Sequence, residues 1–410
     1  MIASRKRMLW RRELMIRNKL MLTLLITALF AVGFGTNAQP TRAADYVVGF
    51  VLVGPQLDKG WSEAHFRASE YLATKVPGVK TIILDKLNPA DRPNVTLEQV
   101  VDNMKAEGAK LIFTTSDDFK ADTLAVAKKY PEITFINVSG DDALTGAAPA
   151  NLGNVMGRME PMKMIAGCAA ALTSTKNSIA YLGPLINDET RRFVNSVYLG
   201  AKYCATTYKN NAALSFEVKW IGFWFNIPGV TLDPTETVNS FYNGGADVVL
   251  SGIDTSEAIV VAGQRAAKGE KVFAVPYDYK GACAQSPKVC LGVPYFNWGP
   301  SYVKIVSDVM AGKYKSAWDY TAPDWKDLNN PDTSNVGFVA GEGLSADVKA
   351  NVDKFIADLA SGKVNLFTGP LAYQDGSAFL KDKEVATDKQ VWYQTQLLQG
   401  VKGDSAPAKK

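Results

Sequence analysis

The sequence predicts an α/β protein of two doubly wound lobes facing each other across a cleft. Two observations carry this reading. Short β-rich runs alternate with helical patterns, and that βα alternation occurs twice along the chain. Most of the strand candidates are nearly continuous apolar runs, as expected where helices cover both faces of a parallel sheet. The 410 residues suit two or three folding units at roughly 100–200 residues each.

The first set of strands is expected at Tyr46–Val53, Val79–Leu84, Lys110–Thr115 and Ile133–Val138. The second is expected at Ser178–Leu182, Leu214–Ile221, Ala246–Leu250 and Lys271–Val275. Between them, Ser62–Val76 carries Ala64, Ala68, Tyr71 and Leu72 at helical spacing and stops before Pro77. Asn94 is placed to cap a helix that shows Leu97, Val100, Val101 and Met104 on one face and ends at Gly108. Pro161 suits the first turn of a helix through Met164, Ile165, Cys168 and Leu172. Further helices are expected at Thr255–Lys268, within Asn297–Gly312 and at Leu344–Leu359. The Gly/Ala/Pro/Asn-rich stretch Gly140–Gly153 separates the two sets and reads as the first crossing between lobes. In open α/β sheets, ligands bind outside the carboxyl ends of the strands, so the loops after strands should face the cleft.

Charge is unevenly placed. Residues 1–44 hold eight basic residues against Glu13, a surplus of seven. The chain's total of +4 therefore leaves −3 on residues 45–410. The folded body is not basic, which argues against nucleic-acid binding. The leader shows a basic stretch, an apolar run from Leu20 to Phe34, and small residues at Thr41, Ala43 and Ala44. That is the order of a secretory signal peptide cleaved after Ala43 or Ala44. The apolar run is short beside the roughly 20 residues of a membrane span. No cysteine lies near the cleavage region to carry a lipid. The mature chain is expected to be soluble, periplasmic or secreted.

Four cysteines in a secreted chain suggest two disulfides, or one and two thiols. Cys283 and Cys290 flank a short Pro-containing segment and are the easiest pair to bridge. Cys168 and Cys204 lie in helical patterns and either pair with each other or stay as buried thiols. The cysteine spacing does not suit a zinc ribbon, and the single His65 leaves few nitrogen ligands. No metal and no cofactor is expected.

The first strand runs into Gly54–Trp61, with a helix starting near Ser62. Neither the dinucleotide fingerprint nor the P-loop spacing is present there. Trp61 is placed to stack on a flat ligand, although a core aromatic at this corner is an equal reading. Asp58 can accept from amino or hydroxyl groups. A second aromatic cluster, Trp220, Phe223, Trp224 and Phe225, follows a strand of the other half. A third, Tyr295, Phe296 and Trp298, precedes the helix near Gly299. Polar candidates at strand ends are Thr115-Ser116, Asp254 and Asp278, with helix capping as the rival role for Asp and Ser. No Gly-x-Ser-x-Gly elbow is present, and a Ser–His pair would have to use His65, which sits on an amphipathic helix as a solvated or satisfied residue. A secreted hydrolase is therefore disfavoured. A transcription regulator's sensory domain is disfavoured by the leader.

The run Val48–Trp61 and the segment Leu111–Ser116 resemble the basic-membrane-protein family of ABC-transporter substrate-binding proteins. So do Gly157-Arg158-Met159, Asn297–Pro300 with Tyr302-Val303, and Phe367–Leu371 with Asp375-Gly376. The resemblance implies a type I periplasmic-binding-protein fold, two doubly wound lobes joined by a hinge. It implies a binding role rather than an enzyme, a monomer, and two partners: a small purine-like solute and an ABC permease in the membrane. Relatives hold a purine between aromatic rings, one from each lobe. Carried onto this sequence, those rings are Trp61 and either Trp224 or Phe225, with Asp58 and Asp278 as the matching aspartates. Where many nucleoside-binding relatives place a lysine for ribose, this chain has Asn297-Trp298, which favours a free nucleobase such as adenine. Asp117–Asp122, Gly222–Val230 and the Cys283–Cys290 insertion also depart from the family. The alternative within the binding class is a sugar-like or signalling solute feeding a sensor or other importer. The expected organisation is a leader at 1–44, a first lobe of 45–157 plus 295–318, a second lobe of 158–294 plus 319–400, and a flexible tail at 401–410.

Overall fold

The apolar runs form the expected strands. A computed structural model describes residues 46–211 and 213–407. The expected leader lies outside the described residues. The first six β/α elements are β1 (Tyr46–Leu52), α1 (Trp61–Lys75), β2 (Val79–Leu84), α2 (Leu97–Ala106), β3 (Ala109–Thr115) and α3 (Lys120–Lys129). They are followed by β4 (Thr134–Asn137), the short α4 (Asp142–Thr145) and β5 (Leu152–Gly157). β1 is almost wholly buried, which explains its unbroken apolar sequence. Thr96, not Asn94, caps α2: its side chain accepts from the Gln99 N–H while Gln99 reaches back to the Thr96 N–H.

The chain then enters the second lobe through α5 (Glu160–Thr173), β6 (Ser178–Gly183), α6 (Asp188–Lys209) and β7 (Ser215–Trp220). It continues with α7 (Pro234–Asn243), β8 (Val248–Ser251), α8 (Glu257–Ala266) and β9 (Phe273–Val275). Gly140–Gly153 is not a crossing. It leads into β5, which pairs with β4 in the first sheet, so the chain leaves that sheet only after Gly157.

The last part holds β10 (Gly292–Phe296), α9 (Gly299–Met310), β11 (Trp318–Thr321), β12 (Val336–Ala340) and α10 (Ala346–Ala360). β13 (Leu371–Ala372), β14 (Ala378–Leu380), α11 (Asp388–Trp392) and β15 (Val401–Lys402) complete the described chain. Two parallel sheets result. The six-stranded sheet has the order β11-β5-β4-β3-β1-β2, and the five-stranded sheet β15-β7-β6-β8-β9. β10 and β12 pair antiparallel beside them.

Two details differ from the expected boundaries. Residues 319–321 belong to β11, whose parallel partner is β5 of the first lobe. The segment from residue 401 starts as an edge strand on β7, and the Gln374 amide donates to the Val401 and Gly403 carbonyls at 2.8 and 2.9 Å.

Cys168 on α5 and Cys204 on α6 are bridged, with Cα atoms 5.2 Å apart. Cys283 and Cys290 are bridged as well, at 5.5 Å. The two helices pack so closely that a Cβ on Gly167 would overlap the Val197 carbonyl, and one on Gly200 the Met164 carbonyl.

Candidate functional site

The loop between β1 and α1 is shaped by one carboxylate. Asp58 accepts from the N–H groups of Gly60, Ser62 and Glu63 at 2.8, 2.9 and 2.9 Å. These bonds satisfy first-turn donors of α1 that have no partner within the helix. Burial pushes the Asp58 carboxyl up to about 6 despite those donors.

That loop delivers Trp61 to the cleft. Its indole N–H donates to the Thr115 carbonyl at 2.7 Å, and its ring stands edge-on to Phe296 and Trp298 at 5.4 and 5.5 Å. The backing layer is itself stacked: Trp298 lies 4.5 Å from Phe296 and 4.7 Å from His65. His65 is buried, with Nδ1 2.6 Å from the Tyr302 hydroxyl and burial driving its pKa well down. It is therefore satisfied at one nitrogen rather than solvated. The Trp61 ring is held from behind and along one edge, which leaves its free side for the cleft.

A narrow cavity lies against that free side, about 20 Å³ in this closed arrangement and so on the scale of a single water. The first lobe lines it with Trp61, Ser116, Asp117 and Ser139. The second supplies Tyr181 from β6, Glu189 and Phe193 from α6, Trp224 from the loop after β7, Asp254 after β8 and Tyr277 after β9. The lobes are closed over it. The Trp61 N–H donates to the Asp254 carbonyl at 3.3 Å, the Asn187 amide donates to Asp117 at 3.1 Å, and the Ser139 hydroxyl donates to Glu189. A Cβ on Gly60 would overlap the Asp254 carbonyl oxygen, so the two loops meet with room only for glycine.

The cavity is apolar and acidic. Among the described residues no lysine or arginine lines it. Asp254 is 6% exposed, and among the described residues no hydrogen bond reaches its carboxylate. Burial, reinforced by Asp278, Asp58 and Glu189, holds its carboxyl well above the usual range. Glu189 is raised by burial against the pull of Arg192, whose Nε is committed to Glu160 at 2.9 Å.

The expected site residues divide. Trp61, Ser116, Trp224 and Asp254 line the cavity together. Asp58 stands behind them as the loop's cap. Ser116 also caps a turn, accepting from the Asp118 N–H at 3.2 Å. Asp278 is fully buried in a left-handed conformation, outside the lining, with both carboxylate oxygens unpartnered. Burial raises its carboxyl against the pull of Lys163, whose own pKa burial drives well down and which donates to the Ser251 carbonyl at 3.2 Å. Phe225 turns to Phe223, 5.0 Å away, and does not line the cavity. Asn297 and Trp298 do not line it either. The Asn297 amide donates to the Pro331 and Ser334 carbonyls, and Trp298 is 1% exposed in the layer behind Trp61. In this closed arrangement both stand behind the cavity wall rather than in it. Tyr181, Phe193, Tyr277 and Glu189 were not expected. A strand tyrosine and a helix phenylalanine carry no signal in sequence that separates cavity wall from core; Tyr277, next to Asp278 at a strand end, did carry one.

Among the described residues no group of three His, Cys, Asp or Glu is placed to hold a metal, and no helix is long and apolar enough to cross a membrane. The chain is similar to a purine-binding protein of Brucella abortus (strain 2308), 29% identical over 83% of this chain and 89% of that one. It is also similar to a Haloferax volcanii protein provisionally named an ABC transporter glucose-binding protein, 25% identical over 54% of this chain and 52% of that one. A solved ABC transporter solute-binding protein from Aeropyrum pernix K1 shares the fold, with TM-score 0.61 and 14% identity over 78% of this chain and 92% of its own. Residues 46–325 match the family described as ABC transporter substrate-binding protein PnrA-like, a binding rather than a catalytic family, and the chain belongs to it.

Proposed function

We propose that this protein is the extracytoplasmic receptor of an ABC importer and that it binds a purine, an adenine-like nucleobase or a nucleoside, between its two lobes. The observation that carries the reading is that Trp61 and Trp224, from opposite lobes, wall one cavity that also holds the Asp254 carboxylate. Ring-on-ring stacking is worth about 1–3 kcal/mol per base in nucleic-acid binders. A planar ligand with an N–H donor would stack on both rings and donate to Asp254. The relative named for purine binding supports the same class. Contacts to both lobes would favour the closed state, and a membrane permease would receive the solute from it. The leader at 1–44 is the reason to place the protein outside the cytoplasm.

A sugar-like solute is the second reading, favoured by the Haloferax volcanii relative. A thermal-shift screen of the chain without its leader separates the two. Binding to the folded state alone adds about 2.7 kcal/mol of stability at one hundred times the dissociation constant. A shift with purines and none with sugars supports the proposal. A shift with glucose and none with any purine overturns it.

A further inference from the structure

Asp254 is enclosed without a counter-charge. It lines the cavity, nothing among the described residues donates to it, and no basic side chain shares the lining. The titratable groups around it are accounted for: in the same lining Asp117 takes the Asn187 amide, and burial keeps Tyr181 and Tyr277 protonated. Asp58 caps α1, Glu189 on α6 takes the Ser139 hydroxyl, and Asp278 lies buried beyond the lining. Lys163 on α5 donates to Ser251, and Arg192 on α6 is paired with Glu160 and Glu189. Three carboxyl groups therefore act on Asp254, and both nearby basic side chains have other partners. A buried carboxylate in such surroundings is neutralised by a proton rather than by an ion pair. Burial and these neighbours act in that direction.

We propose that Asp254 selects the ligand's edge: it presents one donor beside one acceptor and so takes an adenine-type edge over the adjacent N–H pair of guanine. A carboxylic acid offers an O–H donor next to a carbonyl acceptor. Adenine shows the complement, an amino donor beside a ring-nitrogen acceptor. Guanine's N1–H and amino group are two donors and require an ionised carboxylate. This inference rests on the purine reading above and adds which purine.

Isothermal titration with adenine and guanine, on wild type, Asp254→Ala and Asp254→Asn, tests it. The wild type should prefer adenine by about tenfold or more, the scale of one matched hydrogen-bonding pair. Asp254→Ala should lose about that factor for adenine. Asp254→Asn, whose amide is always one donor beside one acceptor, should recover most of it. Because the wild type must hold a proton to bind, its adenine affinity should fall about tenfold per pH unit above the Asp254 pKa, while the Asn variant stays level. Guanine bound more tightly than adenine, or an Asn variant as weak as the Ala variant, overturns this inference and leaves the purine reading standing. A wild type that binds neither base and neither base's nucleoside overturns both.

Discussion

The backbone carbonyl of Asp254 accepts the Trp61 N–H across the cleft at 3.3 Å, while the Asp254 carboxylate lines the cavity that the Trp61 ring walls. One residue thus joins the contact between the lobes to the wall of the cavity. The Asp254 N–H in turn donates to the Trp224 carbonyl at 2.9 Å, so the second wall is tied to the same point.

The closure contact leaves no space for a side chain at Gly60. Gly60→Ala should hold the lobes apart, because its Cβ would overlap the Asp254 carbonyl oxygen. Ligand affinity should drop about tenfold for each 1.4 kcal/mol of closure lost. Small-angle scattering with saturating ligand should show the compaction of the wild type and none in the variant. Equal compaction in both would show that the loops do not need to meet this closely.

The two tryptophans should respond differently to truncation. Trp224→Ala should weaken purine binding by about 1–3 kcal/mol, roughly 5- to 150-fold, as a lost stacking surface. Trp61→Ala removes the same kind of surface and also a buried hydrogen bond to Thr115. It should lower folding stability by about 3–5 kcal/mol as well. Chemical denaturation beside titration calorimetry separates the two effects.

Both lobes were legible in the sequence because a parallel strand covered on both faces must be apolar along its whole length. β1 and β6 lie within one residue of their expected ends for that reason. β5 was not legible: its Gly and Asn residues read as a loop, and only pairing with β4 makes it a strand. Trp61, expected from its strand–helix corner, and Trp224, expected from its cluster, both line the cavity. Tyr181 and Phe193 were not expected, because a cavity wall and a core have the same hydrophobic pattern. Asn297 and Trp298 misled for the complementary reason. They follow strand β10, but the loop after it turns toward Pro331 and Ser334 and carries them behind the site.

His65 provides a pH signature. It is the only histidine in the chain, and burial holds its pKa well below 6.5 when folded. The unfolded chain therefore takes a proton near pH 6.5 that the folded chain refuses. The stabilisation is complete above that value and is lost as pH falls through it, by about 1.4 kcal/mol per unit. Raised carboxyls such as Asp58 act in the opposite sense, so the wild-type curve alone mixes the two. The difference between wild type and His65→Gln, measured by denaturation from pH 8 to pH 5, should show this slope below about 6.5. Parallel curves would mean that His65 titrates normally.

The Cys168–Cys204 bridge closes a 36-residue separation, against 7 for Cys283–Cys290. On the chain-entropy account the longer loop contributes about 4 kcal/mol and the shorter about 2 kcal/mol. Cys168→Ala with Cys204→Ala should lower the melting temperature more than the matching change at Cys283 and Cys290. The reverse order would show that native contacts, rather than loop length, set the effect.

Titration of adenine into the protein without its leader, repeated on Trp224→Ala and followed by glucose, tests the central claim most directly. The account predicts one site per chain for adenine, binding roughly 5- to 150-fold weaker in the variant, and no heat with glucose. Saturable binding of glucose with none of adenine or any other purine would contradict it.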